Sequence, residues 1–161
     1  MGVNREQPHV LVLPEDKANG DIATGFQLEL SFKKYWQMQI LKPAGGWLHV
    51  LDVFNSEHVN AMRSNPHRHM VLMIDFDDDK DRFDKLASKI PVDLRDKVFI
   101  LGSLIDPEAL KPRLGSFEAI GKALASDCRN QTNHAWNDPQ LLHNKSELDR
   151  LRLLVREILF D

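Results

Sequence analysis

The chain reads as an α/β protein, a four-stranded, mostly parallel sheet with helices on both faces followed by an α-helical carboxyl-terminal extension. Three observations predict this: four short apolar runs bounded by turn residues, helical periodicity between them, and crossovers long enough to return each strand parallel to the last. His9 to Leu13 is the first run, closed by Pro14. Asp21 to Leu30 follows as a helix, with Ile22, Phe26 and Leu30 recurring at intervals of four. Trp36 to Leu41 is the second strand, and Pro43-Ala44-Gly45-Gly46 turns the chain. Trp47, Leu48, Leu51 and Phe54 then mark a helix that continues or restarts near Ser56 and ends before Pro66. His69 to Ile74 is the third strand, Arg82 to Ile90 a short helix stopped by Pro91, and Val98 to Leu101 the fourth strand, closed by Gly102.

Beyond the fourth strand the pattern is helical. Ser116 to Arg129 is amphipathic, with Cys128 on the same face as Phe117, Ile120 and Leu124, where it reads as a small core filler. Ser146-Glu147-Leu148-Asp149 resembles a capping box opening a terminal helix whose buried stripe is Leu148, Leu151, Val155 and Ile158. Arg150, Arg152 and Arg156 on that helix read as complements to its dipole. The polar stretch between these helices, Asn130 to Lys145, holds His134, Trp136 and His143, with Trp136 expected to pin it to the core. The whole is one expected domain, residues 1–161, divided into an α/β core over 9–102 and the helical extension over 103–161.

Composition narrows the partners. Hydrophobic residues make up 42% and charged residues 28%, as expected for a water-soluble globular chain, and the formal net charge of -3 supplies no global positive field to draw the protein onto nucleic acid. A nucleic-acid substrate therefore requires a local basic patch or a partner protein. The single cysteine excludes an internal disulfide and a thiolate metal cluster. No stretch is long enough to span a membrane, and Met1-Gly2-Val3-Asn4-Arg5-Glu6 lacks an apolar signal segment, so a cytoplasmic location is expected. Oligomeric state has no signature in the sequence.

The chemistry is concentrated in acids after the strands. Asp75, Asp77, Asp78, Asp79 and Asp81 crowd the stretch directly after the third strand. Ligands of open α/β sheets bind beyond the carboxyl ends of their strands. Asp75 and Asp77, two apart, can point to one side where the strand ends, and a hard divalent cation relieves the repulsion between such carboxylates. A solvated acidic loop accounts for Asp78, Asp79 and Asp81. The first strand also ends in acid, at Glu15 and Asp16; if the first and third strands are neighbours, three carboxylates converge. Gly45 and Gly46 permit positive φ and a close backbone approach to a ligand or phosphate.

Taken in order, Val12-Leu13-Pro14-Glu15, Gly45-Gly46 and Asp75-Phe76-Asp77 resemble the Toprim domain of topoisomerases, primases and overcoming-lysogenization-defect nucleases. The resemblance covers roughly residues 9 to 102. It implies that Asp75 and Asp77 bind Mg²⁺ or Mn²⁺ and that Glu15 is a general acid or base, or a further metal ligand, in phosphodiester chemistry of the nuclease type. Asp16, Asn19, Gly45, Gly46 and Asp79 would then form the surroundings of the site or touch substrate. Many Toprim chains follow the glutamate with glycine and place an acid three positions later, where this chain has Asp16 and Asn19. The single tyrosine, Tyr35, precedes the second strand, so a tyrosyl-linked strand-joining reaction is disfavoured. With a mildly acidic chain and no ATPase motif, a separate ATPase or DNA-binding partner is the expected companion.

Two other readings fit the same residues. One is a non-catalytic Toprim-like interaction or regulatory module. The other is a receiver-like phosphoacceptor domain, with Glu15-Asp16, Asp75 and Ser103 in place but lacking a readable fifth strand ending in lysine. His67, Arg68 and His69 enter the third strand at its amino end, opposite the acids, and read as surface or turn residues rather than a metal or phosphate site. Lys33, Lys34, Tyr35 and Trp36 interleave base and aromatic as nucleic-acid surfaces do, although Trp36 also suits a strand core.

Overall fold

A computed structural model describes residues 2–160. Met1, which opens the amino-terminal stretch read above, and Asp161 lie outside the described residues. The strands are β1 (His9–Pro14), β2 (Met38–Ile40), β3 (Arg68–Met73) and β4 (Val98–Leu101), in the order β2-β1-β3-β4 and parallel throughout. Pro14 stands opposite Met73 at the end of the β1–β3 ladder, so residues 15 and 74 onward leave the sheet side by side.

Each strand alternates its side chains between two apolar layers, as the period of two requires. Val10, Val12, Val71, Phe99 and Leu101 face the layer formed by α1 (Lys17–Leu28), α6 (Phe117–Asn130) and α7 (Lys145–Ile158). Leu11, Leu13, Met70, Leu72, Ile74 and Ile100 face the layer formed by α2 (Trp47–Val53), α3 (Val59–Ser64) and α4 (Arg82–Ala87). A wide π-type turn, Phe54–His58, joins α2 to α3 without a break, and a one-turn α5 (Lys111–Leu114) precedes α6. Burial on both faces explains why the strands are runs of Val, Leu, Ile and Met rather than an alternation with polar residues.

Helices α1 and α6 approach until backbone meets backbone. A methyl group on Gly25 would stand 2.1 Å from the carbonyl oxygen of Glu118, and one on Gly121 would stand 1.9 Å from that of Ile22. Only glycine at both positions allows this contact. Cys128 and Trp136 are buried in the same layer, and the Trp136 indole N–H donates to the Leu124 carbonyl at 3.3 Å, tying the polar stretch to the core.

Several boundaries differ from the sequence expectation. Helix α1 starts at Lys17 rather than Asp21, because Asp16 caps it: the Asp16 Oδ1 accepts from Asn19 N at 3.0 Å. β2 is three residues long, since Tyr35–Gln37 coil into a 3-10 turn before it. The capping box at Ser146 is absent. The terminal helix opens two residues earlier, at Lys145 with Asn144 in the cap position, and Glu147 is turned into the protein.

That glutamate closes the sheet. Among the described residues β4 pairs only with β3, leaving one edge of backbone open. Three side chains spaced three apart fill it: Asn144 pairs with both the N–H and carbonyl of Gly102, Glu147 accepts from Ile100 N at 2.9 Å, and Arg150 donates to the Val98 carbonyl at 3.1 Å. Arg150 also bridges to Glu147 at 2.9 Å and stacks on Phe99, so it is a clamp on the edge rather than a complement to the helix dipole. No helix of the described residues is long and apolar enough to cross a membrane.

Candidate functional site at the carboxyl edge

Glu15 and Asp75 emerge side by side from β1 and β3. Glu15 N donates to the Met73 carbonyl at 2.8 Å, extending the parallel ladder by one bond, and the Glu15 Oε2 accepts from Asp75 N at 2.5 Å. The two acids are therefore held by the sheet itself. Asn19, 1% exposed, lies between Asp16 and Asp75 and gives one amide hydrogen to each: Nδ2 is 3.1 Å from the Asp16 Oδ1 and 3.0 Å from the Asp75 Oδ1. An amide with two donors suits this position because it joins two carboxylates without adding charge.

The electrostatics follow from that crowding. Burial pushes the Asp75 carboxyl up from an ordinary 3.8 to about 7; the Asn19 hydrogen bond opposes this, and the charges of Asp16 and Glu15 add to it. Glu15 is also raised, first by burial and then by Asp16, while the N–H of Asp75 and the charge of Arg82 pull the other way. Such a site favours protonation more than an exposed carboxylate does and gains when positive charge enters.

Asp77 does not continue the strand alternation. The strand has ended, and Asp77 and Asp78 take left-handed backbone angles, φ 51° and 55°, in a turn held by Asp77 N on the Ile105 carbonyl and Asp78 N on the Leu104 carbonyl. Aspartate tolerates this conformation better than most residues. The turn leaves the Asp77 side chain 77% exposed, its Oδ2 4.0 Å from an Arg82 terminal nitrogen. Asp79 faces α4 instead: its Oδ1 accepts from Asp81 N at 2.9 Å, and Lys85 lies 3.5 Å away. Among the described residues no three His, Cys, Asp or Glu side chains are gathered closely enough to form a complete protein metal cage.

Gly45 and Gly46 adopt positive φ, 88° and 137°. Their N–H groups point inward and donate to the Glu15 carbonyl at 2.8 and 3.3 Å, so they fix the acid's backbone and are already engaged.

Arg82 is the site residue the sequence reading missed. It stacks on Trp47 at 4.6 Å, donates from Nη1 to the Asp75 carbonyl at 2.6 Å, and has a buried Nε with no partner among the described residues. Its side chain is only 12% exposed. A base opening the helix directly after five aspartates was the available signal.

The chain has no match among family models, curated proteins or solved structures.

What stands is the parallel four-stranded α/β sheet, with the acids at its carboxyl edge. The open outer edge of β4, where a fifth parallel strand of a receiver would pair, is occupied by Asn144, Glu147 and Arg150. The donor set at the carboxyl edge, Glu15, Asp75 and the nearby Asp77, consists of hard oxygens. Hard oxygens are the donors that Mg²⁺ takes, and it keeps several waters with only one or two protein carboxylates, whereas Zn²⁺ favours nitrogen and sulfur donors.

Proposed function

We propose that this chain is a Mg²⁺- or Mn²⁺-dependent phosphodiester-cleaving enzyme of the nuclease type, Toprim-like in its site, that acts on nucleic acid. The observation that carries the reading is the pairing of Glu15 and Asp75, two partly buried acids in contact at the carboxyl edge, with Asp75 pushed to about 7. Asp75 and Asp77 would hold the metal, and Glu15 would either carry the proton or serve as a further ligand. When bound, Mg²⁺ supplies charge neutralisation at the phosphodiester and orients water. Glu15, its carboxyl raised chiefly by burial, is suited to carry the proton to or from the reacting oxygen. Arg82, anchored on Trp47 and the Asp75 carbonyl, presents a cation beside the acids where a phosphate charge would lie. Asn19 and the Gly45-Gly46 turn set the positions of Asp75 and Glu15. A separate ATPase or DNA-binding protein would deliver the substrate.

A second reading has its own support. The Glu15–Asp75 N hydrogen bond and the Asn19 bridge satisfy the acids from within, as in a non-catalytic interaction module. The discriminating experiment titrates Mg²⁺ and Mn²⁺ against the purified protein, following thermal stability and the cleavage of single- and double-stranded DNA and RNA. The enzyme reading expects metal-dependent cleavage that Asp75→Asn abolishes. No cleavage by the protein alone, or with its genomic-neighbour proteins, selects the module.

A further inference from the structure

The opposite, amino edge of the sheet carries a buried arginine with no acid. His9 and Arg68 stand side by side in the β1–β3 register and face the same layer as Leu11 and Met70. Arg68 is not the surface or turn residue expected from the sequence: it is 8% exposed, beside the fully buried His9. The Arg68 Nε donates to the His9 Nε2 at 3.1 Å, and the other ring nitrogen of His9 lies 2.8 Å from the Gln7 carbonyl. His9 is thus held neutral, with its proton on Nδ1. Among the described residues the terminal nitrogens of Arg68 have no hydrogen-bond acceptor, yet they are not sealed from solvent.

The neighbours make this arrangement costly. Arg5 and His67 add positive charge around His9, on top of the burial that depresses its pKa; Arg5 likewise acts on Arg68, and Arg68 on the half-buried His58. The carboxylate that acts here is Glu57, beside His58 and exposed. Among the described residues none of Arg5, His9, His58, His67 and Arg68 forms an ion pair with an Asp or Glu. Loops tie the group together: Asn65 donates to the Arg5 carbonyl at 3.2 Å and accepts from His67 N at 3.0 Å. The guanidinium is largely covered by protein and its solvent-reached terminal nitrogens have no anion among the described residues, while its planar fork matches a tetrahedral oxyanion.

We infer that this amino edge is a phosphate-binding site, with Arg68 as its principal donor. The phosphate is either inorganic or the 5′-phosphate of a nucleoside monophosphate. The site is independent of the acids at the other edge.

The test compares inorganic phosphate, adenosine 5′-monophosphate and adenosine, at matched ionic strength in a chloride background, by calorimetry and by thermal shift. Phosphate or the monophosphate binds wild type and raises its melting temperature, while adenosine does neither. Tighter binding of the monophosphate identifies the nucleotide as the source, and equal binding identifies free phosphate. Arg68→Met weakens binding about 10–100-fold, the range for hydrogen bonds to a charged group, and remains folded without phosphate, the lost charge burial offsetting the stranded His9 Nε2. Arg68→Lys, which keeps the charge but loses the fork, falls between. Absence of binding by wild type, undiminished binding by Arg68→Met, or unfolding of Arg68→Met in phosphate-free buffer each overturns the assignment, the last because the guanidinium is then a structural element.

Discussion

Asp75→Asn should stabilise the metal-free protein, and only above a definite pH. The Asp75 carboxyl moves from an ordinary 3.8 to about 7 on folding, so between those values the native state holds a proton that the unfolded chain releases. Stability from this group is full below the lower value and is lost as pH rises through the upper one. Three pH units at about 1.4 kcal/mol each set a ceiling of ~4 kcal/mol. Because the carboxyl is only partly withdrawn from water, screening reduces the expected effect to ~1–2 kcal/mol. Glu15, also raised, acts in the same direction, but His9, His58, His69 and His143 are all depressed by burial and lose stability on acidification. The readable quantity is therefore the difference between variant and wild type. Urea denaturation from pH 4 to 8, with chelator present, should give a difference near zero at pH 4 that climbs to its plateau above pH 7. A variant less stable than wild type at pH 8, or a difference independent of pH, would refute the crowding argument and make Asp75 a structural partner.

Other expectations follow from single contacts. Glu15→Gln should bind Mg²⁺ nearly as wild type yet cleave about 10²–10⁴-fold more slowly if Glu15 carries the proton, whereas affinity and rate falling together would make it a ligand. Arg82→Met removes a cation that lowers the Glu15 pKa, so carboxyl NMR titration should find Glu15 higher still; an unchanged value would place Arg82 outside its field. Gly121→Val should destabilise by ~2–3 kcal/mol through overpacking at the Ile22 carbonyl, measured by thermal unfolding, and a neutral result would mean that α1 and α6 can separate freely. Glu147→Ala should cost ~3 kcal/mol by stranding Ile100 N and Arg150, and Glu147→Gln, which keeps an acceptor, should cost much less.

The parallel sheet was legible because its strands are buried on both faces and written as uninterrupted apolar runs. Glu15 and Asp75 were legible for a related reason: each stands just past such a run, and neighbouring strands bring run ends together. Local pattern could not reveal side chains that act across long separations. Glu147 and Arg150 look like helix-end decoration, yet their partners lie 47 and 52 residues upstream. Arg68, placed among histidines before a strand, looks exposed, and only the register with His9 buries it. The first turn of α1 was missed because Ala18-Asn19-Gly20 carries no apolar period, its start being set by the Asp16 cap. Asp77 departed from its expected alternation because two left-handed residues follow the strand, a property of the turn held by residues 104 and 105.

The side-chain ladder on β4 gives the chain an order of assembly. During synthesis β4 is complete long before Asn144, Glu147 and Arg150 exist, so for that interval the growing protein displays the N–H and carbonyl groups of residues 98, 100 and 102 to whatever strand is near. A ribosome adds about 5–20 residues per second, which makes the exposure last seconds, long compared with the microseconds in which hairpins pair. Neighbouring chains on one messenger are the obvious wrong partners. Any truncation between Gly102 and Asn144 would make that interval permanent, leaving a fragment whose core strands are present but whose edge recruits copies of itself.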